Sequence, residues 1–293
     1  MTRIPAPLSF AVLCGVSLIV GWRPLASSLY LGLRNDEYTH ILLILPVVAA
    51  LVVRDWPALK PLPEPGFLGG AVLLTVSAAM AGLVRWGTGF QPEIQLTLVM
   101  LSLVAWWIGA FVLCFGTRIA RGLLFPLCFL LWMVPLPSFA VARIVDFLQH
   151  GSAFAARCLF AMVDVPVSQE GVSLSIPGVT LEVAKECSSI RSSLMLVVTT
   201  MVLAQLFLRS PWRKALVVAV AIPLSVAKNG LRIFTIAMLG TRVDPGFLTG
   251  RLHHRGGIVF FLIALVGVFL LLWVLRRAED QVRPWPPLEP VKS

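Results

Sequence analysis

The run from Glu186 to Ser192, ECSSIRS, holds a thiol among ionisable neighbours: Lys185, Glu186, Cys187 and Arg191. Cysteine reacts as the thiolate, and a helix N-terminus or an adjacent cation favours that form. Cys187 has both, because an apolar run begins at the same point. Arg191 follows by four residues and therefore shares its helical face. Arg232 lies inside a later apolar run, where an arginine is costly and is expected to face a polar cavity or a partner. Lys228 sits one turn deeper on the same face with Asn229 beside it, and carbonyls freed by Pro223 offer both a partner. His253 and His254 open the last apolar run. Together these groups permit acyl transfer. Cys187 attacks a peptide carbonyl to form a thioester, Arg232 donates to the tetrahedral oxyanion, and His253 takes or returns the proton.

Composition decides what must hold them. Of 293 residues, 58% are hydrophobic and 13% charged, and the mean hydropathy is +0.90. Soluble domains carry about 25% charged residues, so roughly half the usual solvating charge is missing. Apolar runs of about 20 residues recur, each long enough to cross a hydrocarbon core of about 30 Å. The expected fold is an all-α polytopic membrane protein. It forms a single integral membrane domain over residues 1–277, followed by a disordered, Pro-rich cytoplasmic tail over 278–293. The net charge of +10 is spread as short clusters between spans rather than as a basic face with interleaved aromatics. That pattern argues against nucleic acid and for anchoring to an anionic leaflet. The other cysteines, Cys14, Cys114, Cys128 and Cys158, lie in apolar surroundings and read as small hydrophobes. With no CxxC, no HExxH and no Cys/His cluster at ligand spacing, neither a metal nor a cofactor is expected.

Eight spans can be drawn: Leu8 to Trp22, Ile41 to Val53, Gly66 to Val84, Ile94 to Phe115, Ile119 to Val134, Cys187 to Leu208, Ala215 to Leu239 and His254 to Leu275. Between the fifth and sixth, Phe139 to Met162 reads as an amphipathic interfacial helix. The stretch Val165 to Val183 then alternates and is punctuated by Gly and Pro, the pattern of a short extracytoplasmic β-hairpin. Tight basic clusters (Arg118 with Arg121, Arg209 with Arg213 and Lys214, Arg276 with Arg277) fall on one side, which the positive-inside tendency makes cytoplasmic. Cys187 then faces the opposite, periplasmic side. At 1.5 Å per residue, Arg232 stands about 25 Å above the cytoplasmic start of its span. Thiol, guanidinium and imidazole reach one height on three separate helices.

At these residues the sequence resembles the exosortase/archaeosortase family. ECSSIRS, then NGLRI at Asn229 to Ile233, then His253 with Gly257 and Phe261 are similar to its three signature blocks. MVPLP at Met133 to Pro137, FLQ at Phe147 to Gln149, VPVSQEG at Val165 to Gly171 and DEYTH at Asp36 to His40 are similar to further stretches, in the same order. Ser189 stands where the family commonly has Gly, and Ile41 follows His40 where Gly is usual. The resemblance implies a multi-pass cysteine protease/transpeptidase of the inner membrane, analogous to sortase. Its implied substrates are exported proteins ending in a Pro-Glu-Pro motif, an apolar helix and a basic tail. It implies cleavage at the motif and transfer to an unidentified surface acceptor, often alongside exopolysaccharide production. Cys187 is then the nucleophile, Arg232 the anion stabiliser and His253 the acid/base, with His254 the alternative. Glu186, Ser188, Arg191 and Asn229 take supporting or substrate-binding places.

A rival reading comes from another class. In a transporter or lipid-binding membrane protein, Arg232 and Lys228 would hold an anionic head group and Cys187 would be incidental. Plain proteolysis, with water as the acceptor, is a third.

Overall fold

Inside a bilayer, backbone N–H and C=O groups must be satisfied within the segment itself, so apolar runs of this length become helices. The computed structural model describes residues 5–59, 67–87, 89–182, 190–249 and 257–282. In it the chain forms two compact units, Met1–Val141 and Ala142–Ser293. Among the described residues, seven helices are long and apolar enough to cross a membrane, and an eighth crossing is met only by a bent pair.

The first unit contains α1 (Ala6–Arg34), α2 (Ile41–Asp55), α3 (Phe67–Trp86), α4 (Pro92–Gly122) and α5 (Leu124–Phe129), the last continued by a 3-10 turn over Leu130–Met133. Both α1 and α3 pack on α4. The α3–α4 contact is backbone-close: a Cβ on Gly70 would stand 2.5 Å from the Leu113 nitrogen. Small residues of this kind let membrane helices approach without a hydrophobic driving force. Two expectations are revised here. The first helix continues through Pro24 to Arg34 rather than stopping near Trp22. The fifth span is not one straight helix. Helix α4 runs on past Phe115 through a break at Gly116 (φ 86°), a backbone conformation that favours glycine. Arg118 and Arg121 lie in the turn beyond the break, and Leu124–Met133 is a short helix and a 3-10 turn. Phe10, Trp56, Phe111 and Phe115 stack around the break with ring centroids 4.7–5.7 Å apart.

A long helix, α6 (Ser138–Met162), leads into the second unit. It ends with Asp164 in the left-handed region (φ 54°) and the Val165 N–H donating to the Phe160 carbonyl at 3.1 Å, the closure of a Schellman-type turn. An antiparallel sheet follows: β1 (Ser168–Glu170), β2 (Ser173–Ile176) and β3 (Val179–Glu182), in that order. Pro177–Gly178, with Gly178 at φ 91°, has the residue pattern of a type II turn. The alternation over 165–183 thus becomes one strand more than a hairpin. Then come α7 (Ile190–Phe207), α8 (Pro211–Arg242), a single turn α9 (Gly246–Thr249) and α10 (Gly257–Val282). The last helix extends beyond Arg277, so residues 278–282 are helical rather than part of a tail; 283–293 lie outside the described residues.

The turn between α7 and α8 is only three residues, which makes the two helices antiparallel. A carboxylate from α10 closes it. Glu279 accepts from the backbone N–H of Arg209 at 3.0 Å and of Ser210 at 2.9 Å, and the Arg213 guanidinium lies 3.9 Å away. Hydrogen bonds to a charged group are worth about 1.5–3 kcal/mol each when made in a poorly solvated place. Glu279→Ala should therefore lower the thermal unfolding midpoint of the detergent-solubilised protein, by about 1–3 kcal/mol of stability. Glu279→Gln, which keeps one acceptor oxygen, should lose less. Equal midpoints for all three proteins would show that the clamp contributes nothing.

Candidate active site

Helix α8 carries the polar stripe. Ser225, Lys228, Asn229 and Arg232 recur at helical spacing, and their exposures are only 2, 4, 1 and 7%. The stripe is covered from two sides. From α7, Ser192 Oγ accepts a short hydrogen bond from Lys228 Nζ, and the same ammonium donates to Asn229 Oδ1 at 3.1 Å. From α6, the backbone itself closes in. A Cβ placed on Gly230 would stand 2.5 Å from Ala155 Cβ and 3.0 Å from the Ala156 nitrogen. A turn earlier, a Cβ on Gly151 of α6 would stand 3.0 Å from a methyl of Val226. The glycine of the NGLRI block is thus required by helix packing, while Lys228, Asn229 and Arg232 turn to other neighbours.

The expectation that Lys228 meets carbonyls freed by Pro223 is not met. Helix α8 is continuous through Pro223, and the ammonium goes to Ser192 and Asn229. Ser192 was missed by the sequence reading. The signal was present, since a serine one turn into an antiparallel neighbour is a natural partner for a buried lysine, but the pairing needs the helix register.

Three helix segments reach a common level. The Ser192–Lys228 bond fixes the register of α7 against α8, so the direction toward the start of α7 is the direction from Lys228 toward Arg232. Glu279 pins α10 at the opposite end, against Ser210. Gly257 is as many residues from Glu279 as Arg232 is from Ser210, roughly 33 Å of helix in each case. Helix α10 packs on both α7 and α8. The sheet lies at the same end. Leu174 and Ile176 of β2 join Ala153, Ala156 and Phe160 of α6 and Ile233 and Ala237 of α8 in one buried cluster. Phe160 and Phe234 meet edge-on there at 5.0 Å.

Of the residues singled out from the sequence, Arg191, Asn229 and Arg232 are described. Asn229 and Arg232 are buried in the stripe, and Arg191 is exposed on the first turn of α7. Glu186, Cys187, Ser188, His253 and His254 lie outside the described residues. In sequence Cys187 is three residues before Ile190, and His253 is four before Gly257.

The chain belongs to the transmembrane exosortase family, whose profile matches residues 32–270. The match runs from the last turn of α1 into α10 and includes the polar stripe of α8, the sheet and the candidate residues from Glu186 to His254. It supports a multi-pass membrane transpeptidase working on the sorting signals of membrane-associated substrate proteins. No curated protein matches the chain, and no solved structure does.

The tight α6–α8 contact gives a test. Gly230→Ala forces a methyl into backbone at 2.5–3.0 Å, and overpacking of this kind costs about 1–3 kcal/mol. The expected outcome is a lower unfolding midpoint together with loss of activity. At Gly151 the obstructing atom is a valine methyl, which can rotate, so Gly151→Ala should be the milder change. Wild-type behaviour of Gly230→Ala would contradict this packing.

Proposed function

We propose that the protein is a cysteine protease/transpeptidase with Cys187 as nucleophile, Arg232 as oxyanion donor and His253 as acid/base. It cleaves a C-terminal sorting signal of the Pro-Glu-Pro, apolar-helix, basic-tail type. The site faces the periplasm from the inner membrane, and the new C-terminus passes to a surface acceptor in a system linked to exopolysaccharide. Supporting this is the common level of Arg232, the start of α7 and the start of α10. Three extended residues span roughly 10 Å, so the thiol is tethered within that distance of Ile190. The antiparallel register carries Arg232 one turn past Lys228, toward that same end of α7.

The reaction balances without a cofactor. The Cys187 thiolate adds to the carbonyl carbon of the scissile peptide, and the negative charge moves to the carbonyl oxygen, where Arg232 donates hydrogen bonds. The C–N bond breaks as imidazolium protonates the departing amine, leaving a thioester. The neutral imidazole then takes a proton from an amine, a hydroxyl or water, and that nucleophile expels the thiolate. Glu186, Ser188, Arg191 and Asn229 take supporting or substrate-binding roles in this proposal, and His254 is the alternative base. A substrate with a single membrane helix reaches the site by lateral diffusion and presents its juxtamembrane residues there.

Cys187→Ala and Cys187→Ser should leave a co-expressed substrate at full length in the membrane. Arg232→Lys should slow cleavage by about 100- to 1,000-fold, the usual cost of one oxyanion donor. Between His253→Ala and His254→Ala, the variant with no cleavage identifies the base. Mass analysis of the product's C-terminus separates transfer from hydrolysis; a free carboxylate throughout counts against an acceptor. Full function in Cys187→Ala, with loss only on changing Arg232 or Lys228, would favour the transporter or lipid-binding reading instead.

A further inference from the structure

Within the first unit, α1, α3 and α4 line an open-sided cavity of about 940 Å³. Its chemistry is divided. Three of the four serines on its walls are already occupied: Ser17 donates to the Cys14 carbonyl at 2.7 Å, Ser77 to Leu73 at 2.6 Å and Ser102 to Val99 at 2.7 Å, while Ser27 is exposed. The indole of Trp106 likewise donates to the Leu13 carbonyl at 3.1 Å. Those walls offer an occupant apolar surface and little else.

Toward the α3–α4 turn the lining changes to Arg23, Arg85 and Gln95. Helices α3 and α4 are joined by a short connection, which sets Arg85 beside the first turns of α4 that carry Gln95. Arg23 comes in from α1, roughly 16 Å of helix short of that helix's end at Arg34. It therefore lies on a membrane-crossing wall, not in a loop. Both arginines are exposed. Among the described residues no Asp or Glu lines the cavity, and neither arginine makes an ion pair with a carboxylate. Arg23 has only the Trp22 ring, 5.7 Å from its guanidinium. Two like charges facing one opening, with no carboxylate among the described residues to offset them, attract an anion.

We infer that this cavity binds one net-anionic phospholipid, its phosphate held by Arg23, Arg85 and Gln95 and its hydrocarbon lying between α1 and α3 on α4. Guanidinium groups match phosphate oxygens in charge and in fork geometry. The obvious competitor is an apolar helix with a basic tail, and it fits poorly. A basic tail brings the wrong sign of charge to two arginines. The inference does not depend on the cysteine chemistry proposed above.

The full-length protein would be reconstituted in phosphatidylcholine nanodiscs containing one tenth phosphatidylglycerol, released into mild detergent and weighed by native mass spectrometry. The wild type should retain one phosphatidylglycerol in preference to phosphatidylcholine. Arg23→Gln with Arg85→Gln should reduce that retention at least fivefold, and the paired lysine variant should keep part of it. Independently of any variant, a phosphatidylglycerol carrying a photoreactive tail should cross-link to peptides within residues 16–27, 77–86 or 92–106. Equal retention of the two lipids would overturn the proposal. So would unchanged retention in the glutamine variant, cross-links confined to other helices, or displacement of the lipid by a basic-tailed helical peptide.

Discussion

A lysine, an asparagine and an arginine within little more than one turn cannot be left facing hydrocarbon, and the second unit is arranged around that constraint. Each cation at the centre of a membrane helix costs about 2.5–3.5 kcal/mol on insertion scales. Interhelical hydrogen bonds in membranes contribute about 0.6–2 kcal/mol each. The Lys228–Ser192 and Lys228–Asn229 bonds therefore offset only part of the cost of Lys228 and Arg232 together. What lowers it further is coverage. Helix α6 approaches within backbone contact at Gly230, and α7 lies along the other side. The stripe is kept 93% or more buried.

That burial transmits a level from one end of the unit to the other. Rigid helices with a fixed rise act as spacers, so pinning one end determines the height of the other. Glu279 holds α10 against the backbone of Arg209 and Ser210, and the three-residue turn holds α7 against α8. At the far end the sheet packs against Ile233, Phe234, Ala237 and Met238, the residues immediately above Arg232. The sheet thus braces the end of α8 where the arginine must be held, while its last strand leads toward the stretch that carries Cys187. Local alternation in sequence, a sheet of three short strands and the placement of one guanidinium belong to a single chain of cause.

Much of this was legible in the sequence because cost is legible. Apolar runs of spanning length announced the helices, and charges inside such runs announced Lys228 and Arg232. The alternation and turn residues over 165–183 announced strands. What escaped was geometry that composition does not encode. Hydropathy counts Ile119 to Val134 as a span, but the backbone turns at Gly116 and the segment becomes a short helix and a 3-10 turn. Pro223 looked like a break that would free carbonyls, yet α8 runs through it. Ser192 in a serine-rich run is indistinguishable from a helix-start residue until the register against α8 is known. The close approach at Gly230 likewise exists only once α6 is placed.

The two units keep their intramembrane cations in different ways, and the contrast bears on what each can bind. Lys228 and Arg232 are 4% and 7% exposed, and the neighbours of Lys228 are protein groups on α7 and α8. Lys228 is thus held in place by the protein itself, before any ligand arrives. Arg23 and Arg85 are exposed on the wall of a cavity. They have no carboxylate partner among the described residues, and because guanidinium stays charged under all accessible conditions, the counterpart proposed for them is an anion. Desolvation governs both pairs: it is met by protein groups around the buried pair and by solvent access around the exposed one.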